Sequence, residues 1–162
     1  MGDQIVLLAE NPSDAIETAY KLHSLVLAEH NFLSVHAGIH YGSVYIDKGS
    51  LFGSTINVAS RIMNIAEQGQ ILCSSALIDK INSNQYSFNP LGAFSFKNVM
   101  SEIVLYQLAT DDYRQFFIDP VCRMQIDPEK TTFIYSYKSQ KYHFCSNHCL
   151  DMFKSNPEVF LA

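Results

Sequence analysis

The cysteines restrict the folding of this chain more than any other feature. Cys73 is the single cysteine of the first 110 residues, whereas Cys122, Cys145 and Cys149 crowd into the last 52. An odd cluster of three, with no basic-then-apolar leader after Met1, fits metal ligation or thiol redox chemistry better than a secreted disulfide framework. Cysteine chemistry therefore belongs to the tail, and Cys73, in Gln70-Ile71-Leu72-Cys73, reads as a buried strand residue. The front must cohere by burial. With 162 residues, 48% of them apolar and 17% charged, the chain has enough for one moderate core beside a small stapled module. The composition excludes disorder and collagen-like structure. Charge, Asn or Ser interrupts every apolar stretch before it could span a bilayer, so a cytoplasmic protein with no membrane segment is expected. A net charge of -5 argues against a nucleic-acid partner, which would need clustered Lys and Arg to neutralise phosphates.

The first 110 residues hold five basic and nine acidic side chains, and the remainder six and seven. The polar run Ala109-Thr110-Asp111-Asp112-Tyr113-Arg114-Gln115 before Asp119-Pro120 marks a linker over 110–118, between a front domain at 1–109 and a tail domain at 119–162. In the front, Gln4 to Ala9 reads as a buried strand. Asn11-Pro12 caps a helix running to about His30, with Ala15, Ile16, Ala19, Leu22, His23, Val26 and Leu27 on its apolar face. Ser34 to Tyr41 and Ser43 to Ile46 alternate as a strand pair hinged at Gly42, with a turn at Asp47-Lys48-Gly49. A helix is expected from Thr55 to Glu67, ended by Gly69. Strands follow at Gln70 to Cys73, Ala93 to Lys97 and Ile103 to Leu108, with a short helix near Ala76 to Ile81. This order implies an α+β sheet covered by helices. In the tail, Thr131 to Lys138 and Lys141 to Phe144 form a hairpin, and Ser146 opens a helix to Lys154.

Two constellations could carry chemistry. Leu51-Phe52-Gly53-Ser54-Thr55-Ile56-Asn57-Val58-Ala59-Ser60-Arg61 runs from a glycine turn into a helix. Asn57 and Arg61, four apart, share one face there. An amide beside a guanidinium can hold a hydroxyl and a phosphate, although by spacing such a pair is more often a solvated face. In the tail, Cys145 and Cys149 lie one turn apart at a helix start, where the dipole favours thiolate, and Cys122 sits on an upstream turn. Three thiolates can meet at one soft ion, zinc or copper(I). A buried thiol cluster without metal is the alternative, and Asp119, His143, His148 or an external thiol or water could supply a fourth ligand. His36 and His40 share a strand face and read as core or surface residues, as do His23 and His30 in or near the first helix.

The blocks Val35-His36-Ala37-Gly38-Ile39-His40-Tyr41-Gly42-Ser43-Val44, Phe52-Gly53-Ser54-Thr55-Ile56-Asn57-Val58-Ala59-Ser60-Arg61-Ile62 and Gly69-Gln70-Ile71-Leu72-Cys73-Ser74 resemble the catalytic domain of class III adenylate and guanylate cyclases. Phe94 to Val99 and Ile103 to Leu108 resemble its closing strands. The resemblance implies a partial ferredoxin-like domain in which two aspartates hold Mg²⁺ or Mn²⁺ ions on a nucleoside triphosphate. By the same resemblance Asn57 orients the ribose and Arg61 meets charge developing on the α-phosphate. Asp3 corresponds to one metal carboxylate, Ser50 falls where the purine is read, and Lys97 sits near a lysine of the triphosphate end. ATP is favoured over GTP, and the partner implied is a second copy or a complete cyclase subunit. The chain begins at the Gly-Asp element, so the preceding strand with the other metal aspartate is expected to be absent and this polypeptide inactive by itself. The tail, from Asp119 to Leu161, resembles the YHS domain, a small treble-clef-like metal-binding module. Arg123 stands where that module usually carries glycine. The function expected is that of a cyclase-related signalling protein with a metal-binding tail, the alternative being a catalytically inactive regulatory module.

Overall fold

The computed structural model describes residues 4–29, 32–81, 85–110, 117–127 and 131–161. The chain divides into two units, Met1–His23 with Val35–Asp111 and Ser24–Ser34 with Asp112–Ala162.

Asn11 and Pro12 open helix α1 (Pro12–Ala28), proline's fixed φ suiting a first turn. Ile16 and His23 are buried, but Leu22, expected on the same face, is 44% exposed. At 100° per residue it lies about 120° round the helix from Ile16, beyond the stripe a sheet can cover. Next come β1 (Ala37–Ile39), β2 (Tyr45–Asp47), β3 (Ser50–Phe52), α2 (Ser54–Ile65), β4 (Ile71–Ser74), α3 (Ser75–Ile78), β5 (Phe88–Phe94) and β6 (Ile103–Leu108). The sheet runs β1-β4-β6-β5. β1 is parallel to β4, and β6 is antiparallel to both β4 and β5.

Every residue of β4 is buried, as a central strand with both faces covered requires. Alternation sends Ile71 and Cys73 into one core with Ile16, Leu77 and Leu108. Leu72 enters the other, with Val58, Ile62, Ala66 and Leu105. Helices α1 and α3 thus contribute to one face and α2 to the opposite one. Gly38 permits the second contact, because a Cβ there would sit 2.3 Å from the Met63 amide nitrogen and 2.6 Å from the Ala59 carbonyl oxygen.

Several expectations are corrected. Gln4 to Ala9 forms no strand and is exposed throughout, Ile5 by 84%; an apolar run without a ladder partner among the described residues has nothing to bury against. β1 pairs with β4 rather than with the segment after Gly42, and β2 instead makes a hairpin with β3. Helix α2 stops at Ile65, with Ala66 extended, three residues before Gly69. The strand expected at Ala93 to Lys97 lies at Phe88–Phe94, where Pro90 and Gly92 border a bulge. Proline and glycine disguise this strand as a loop, yet its edge position tolerates both.

In the second unit β7 (Phe117–Ile118) pairs with β8 (Gln125–Ile126), and β9 (Ile134–Tyr137) with β10 (Gln140–His143), before α4 (Asn147–Ser155) and α5 (Pro157–Phe160). The expected linker lies mostly outside the described residues, and its last two residues are β7. Phe144, Cys149, Leu150 and Phe153 form the core. The Phe153 ring is the hub, 5.0 Å from Tyr142 and 5.2 Å from Phe144 between centroids. Ser146 caps α4, its hydroxyl accepting from the Cys149 amide at 3.3 Å, as its side-chain type and position predict.

Candidate functional site

Helix α2 is fixed at its start by glycine and threonine. Gly53 has a φ of 143°, and the Thr55 hydroxyl donates to the Ser43 carbonyl at 2.7 Å. A Cβ on Gly42 would come within 2.5 Å of that hydroxyl oxygen. So held, α2 buries Thr55, Val58 and Ile62 and turns Asn57 outward, exposed. Arg61, one turn on, is half-buried. Its Nη1 is shielded from solvent and meets no hydrogen-bond acceptor among the described residues. A buried donor left unpaired costs roughly 1–3 kcal/mol, so an acceptor brought to Arg61 from outside would relieve a cost already present.

Ser50 is exposed at the start of β3, opposite Asp47 in the hairpin. Lys97 is exposed in the turn after β5. Among the described residues no hydrogen bond or ion pair joins either to Asn57 or Arg61, and Asp3 lies outside the described residues. A feature missed in the sequence is the His40–Ser74 pair, in which Nδ1 and Oγ share a hydrogen bond of 2.8 Å just beyond the parallel ladder. Burial lowers the His40 pKa.

The tail cluster is assembled differently. Cys145 is central, its Sγ 3.6 Å from that of Cys122 and 3.6 Å from that of Cys149. Thiolates around one zinc at about 2.3 Å stand roughly 3.8 Å apart, so the donor set fits a soft ion with little movement. The ligand atoms of Asp119, Cys122, Cys145 and Cys149 all lie within 4.8 Å of one another.

Asp119, fully buried, does more than approach this group. Its Oδ1 accepts from the amides of Val121 at 2.8 Å and Cys122 at 3.3 Å, and its Oδ2 from the amide of Cys145 at 2.9 Å. Burial by itself would raise the carboxyl pKa, but the amides of Cys145, Val121 and Cys122 outweigh it and hold the pKa low. The carboxylate thus ties together the two turns that carry thiols. Burial pushes the Cys122 and Cys149 thiols up, and contact with Cys145 adds to this. Bringing them to a metal therefore releases protons.

Neither His143 nor His148 belongs to the cluster. His143 stacks on Phe117 at 3.8 Å with the planes 3° apart, and His148 is exposed. Arg123, where glycine was expected, has a φ of 64°, a conformation glycine adopts without cost.

A mixed sheet with helices on both faces and a helix presenting Asn57 and Arg61 defines an α+β domain of the nucleotide-cyclase class, and the tail is a small cysteine-built module whose donor atoms are spaced as a metal site's would be. The family model of the adenylate and guanylate cyclase catalytic domain matches residues 14–110, and that of the YHS domain residues 117–162. The chain belongs to the adenylate and guanylate cyclase catalytic domain family and carries a YHS domain behind it. It is 27% identical over 112 residues to a pH-sensitive adenylate cyclase of Mycobacterium tuberculosis, covering 67% of this chain and 28% of that protein. It is 28% identical over 81 residues to an adenylate cyclase of Streptomyces griseus, covering 50% of this chain and 20% of that one. The chain thus spans less than a third of either relative. Among solved structures, an adenylate/guanylate cyclase/hydrolase from Silicibacter pomeroyi superimposes with a TM-score of 0.51 at 22% identity, over 64% of this chain and 66% of that one. The catalytic core of a rhodopsin-guanylyl cyclase in complex with ATPalphaS gives 0.53 at 18% identity, over 64% and 61%. These likenesses establish the fold. Among the described residues no helix is long and apolar enough to cross a membrane.

Proposed function

We propose that the front segment supplies the ribose- and α-phosphate-binding side of a class III cyclase site and takes part in converting ATP to cyclic AMP and pyrophosphate. In that reaction the ribose 3′-oxygen forms a bond to the α-phosphorus, the bond from that phosphorus to the bridging oxygen breaks, pyrophosphate leaves and the hydroxyl proton is released. The observation that carries the reading is the buried, unpaired Nη1 of Arg61 one turn from exposed Asn57. Asn57 would hold the ribose by its amide, and Arg61 would meet negative charge on the α-phosphate where water is excluded, which strengthens the interaction. Ser50 would face the purine and Lys97 the terminal phosphates. Mg²⁺ or Mn²⁺ would neutralise the triphosphate when bound. Asp3 would correspond to a metal carboxylate, and the carboxylates facing Asn57 and Arg61 would come from a second cyclase subunit, in a cytoplasmic dimer. ATP is preferred to GTP.

The tail would bind zinc or copper(I) through Cys122, Cys145 and Cys149, with Asp119 orienting the turns and water or an external thiol completing the shell. A test of the cyclase reading mixes the purified chain with a cyclase subunit that supplies both metal carboxylates but lacks its own Asn and Arg, in Mn²⁺ and ATP. Cyclic AMP from the mixture, and none from either protein by itself, is expected. A mixture that forms a dimer and still makes no product would exclude it. The regulatory-module reading would gain from that result.

A further inference from the structure

We infer that metal loading of the thiol cluster fixes the register of the segment joining α1 to β1. This rests on the metal-binding reading of the tail. Ser24–Ser34 groups with the tail residues although it lies inside the span matched by the cyclase model. Leu33 forms an antiparallel bridge with Met124, and the Gln125 amide donates to the Phe32 carbonyl at 2.8 Å. Strand β8 is therefore flanked on both sides, Gln125 standing opposite Ile118 of β7 while its N–H serves Phe32.

The same few residues hold a thiol. The Asp119 amide donates to the Met124 carbonyl at 2.9 Å, and the Arg123 amide to the Asp119 carbonyl at 2.9 Å. This closes a tight turn around Cys122, with Arg123 at positive φ. The Asp119 carboxylate binds that turn to the Cys145 amide. An ion gripping Cys122, Cys145 and Cys149 would restrain the turn, and the pairing with Phe32 and Leu33 begins two residues beyond Cys122. Phe32 is 47% and Leu33 48% exposed, and half-exposed segments held by backbone pairing to a neighbouring strand open at low free energy. The state of the metal site is thus read by residues that lead directly into β1.

Hydrogen exchange followed by mass spectrometry on the full chain tests this, comparing protein stripped with EDTA and protein loaded with Zn²⁺. Binding of one Zn²⁺ should slow exchange in 117–126 and 144–150, and by roughly tenfold in 24–34 as well. Gln125→Pro removes the one amide that serves Phe32. It should still take up one Zn²⁺ yet lose the protection gained in 24–34, whereas Cys145→Ser should show no gain in any segment. If wild-type protein binds Zn²⁺ and protects 117–126 and 144–150 while 24–34 exchanges unchanged, the inference is wrong and the metal reading survives. If no Zn²⁺ binds, both fall. The wild-type comparison decides even should Gln125→Pro fold poorly.

Discussion

Arg61 is half-buried in one unit and Asp119 fully buried in the other, and their polar atoms end in opposite circumstances. Among the described residues Nη1 of Arg61 meets no acceptor, whereas the Asp119 carboxylate takes three backbone amides and sits fully buried. In the tail the backbone itself satisfies the Asp119 carboxylate and draws together the turns that carry Cys122 and Cys145. The front leaves a donor unmatched at Arg61 among the described residues. An unmatched buried donor is a standing cost that a ligand can cancel, and a matched carboxylate is scaffolding.

The largest effect should fall on the self-contained site. Cys145→Ser removes the thiol that touches both others, and stoichiometric Zn²⁺ uptake should vanish, with affinity down by at least about 10³-fold and the tail melting at lower temperature. Titration against a chromophoric chelator measures it. Retention of tight binding by the variant would mean that the cluster is no ligand set. Next comes the support under α2: Gly38→Ala drives a methyl into the backbone of Met63 and Ala59 and should cost about 1–3 kcal/mol in urea unfolding of the front unit, leaving Zn²⁺ uptake unchanged.

Smaller changes of opposite origin sharpen the contrast. Arg61→Met deletes the unpaired donor and should leave the front as stable as before or raise its stability by up to about 1 kcal/mol. Asp119→Ala would instead strand three amides and destabilise the tail. Arg123→Gly relaxes a positive φ and should stabilise the tail by about 1 kcal/mol, seen as a rise in its Tm. The smallest effect concerns His40. Burial lowers its folded pKa, so the unfolded chain binds the proton first on acidification. The neutral ring's contribution is present above the unfolded value of about 6.5 and is lost as pH falls through the window below it. The front should therefore lose stability on acidification below that point, and His40→Gln should flatten the slope of Tm against pH.

The legible parts of the molecule were those governed by short periods. The spacing of Asn57 and Arg61 required one helix face, Ser146 announced the cap of α4, and the cysteine crowding located the thiol cluster. What stayed hidden depends on partners remote in sequence. The role of Asp119 requires Cys145, 26 residues away, so the sequence offered it merely as a possible fourth ligand. Pro90 and Gly92 obscured β5, whose edge position no local pattern states. Residues 4–9 carry a strand's composition without a ladder in the described structure. The grouping of Ser24–Ser34 with the tail includes the Leu33–Met124 bridge and the Gln125–Phe32 hydrogen bond, pairings that leave no mark on composition.

The claim that Arg61 awaits a phosphate meets its most direct test in the rate of cyclic AMP release from the mixed assay, wild type against Arg61→Met, at saturating Mn²⁺ and ATP. The account predicts a fall of about 10²–10³-fold with the variant folded and dimerising as wild type does. Equal rates would show that the Arg61 guanidinium takes no part in the reaction and would contradict its assigned role.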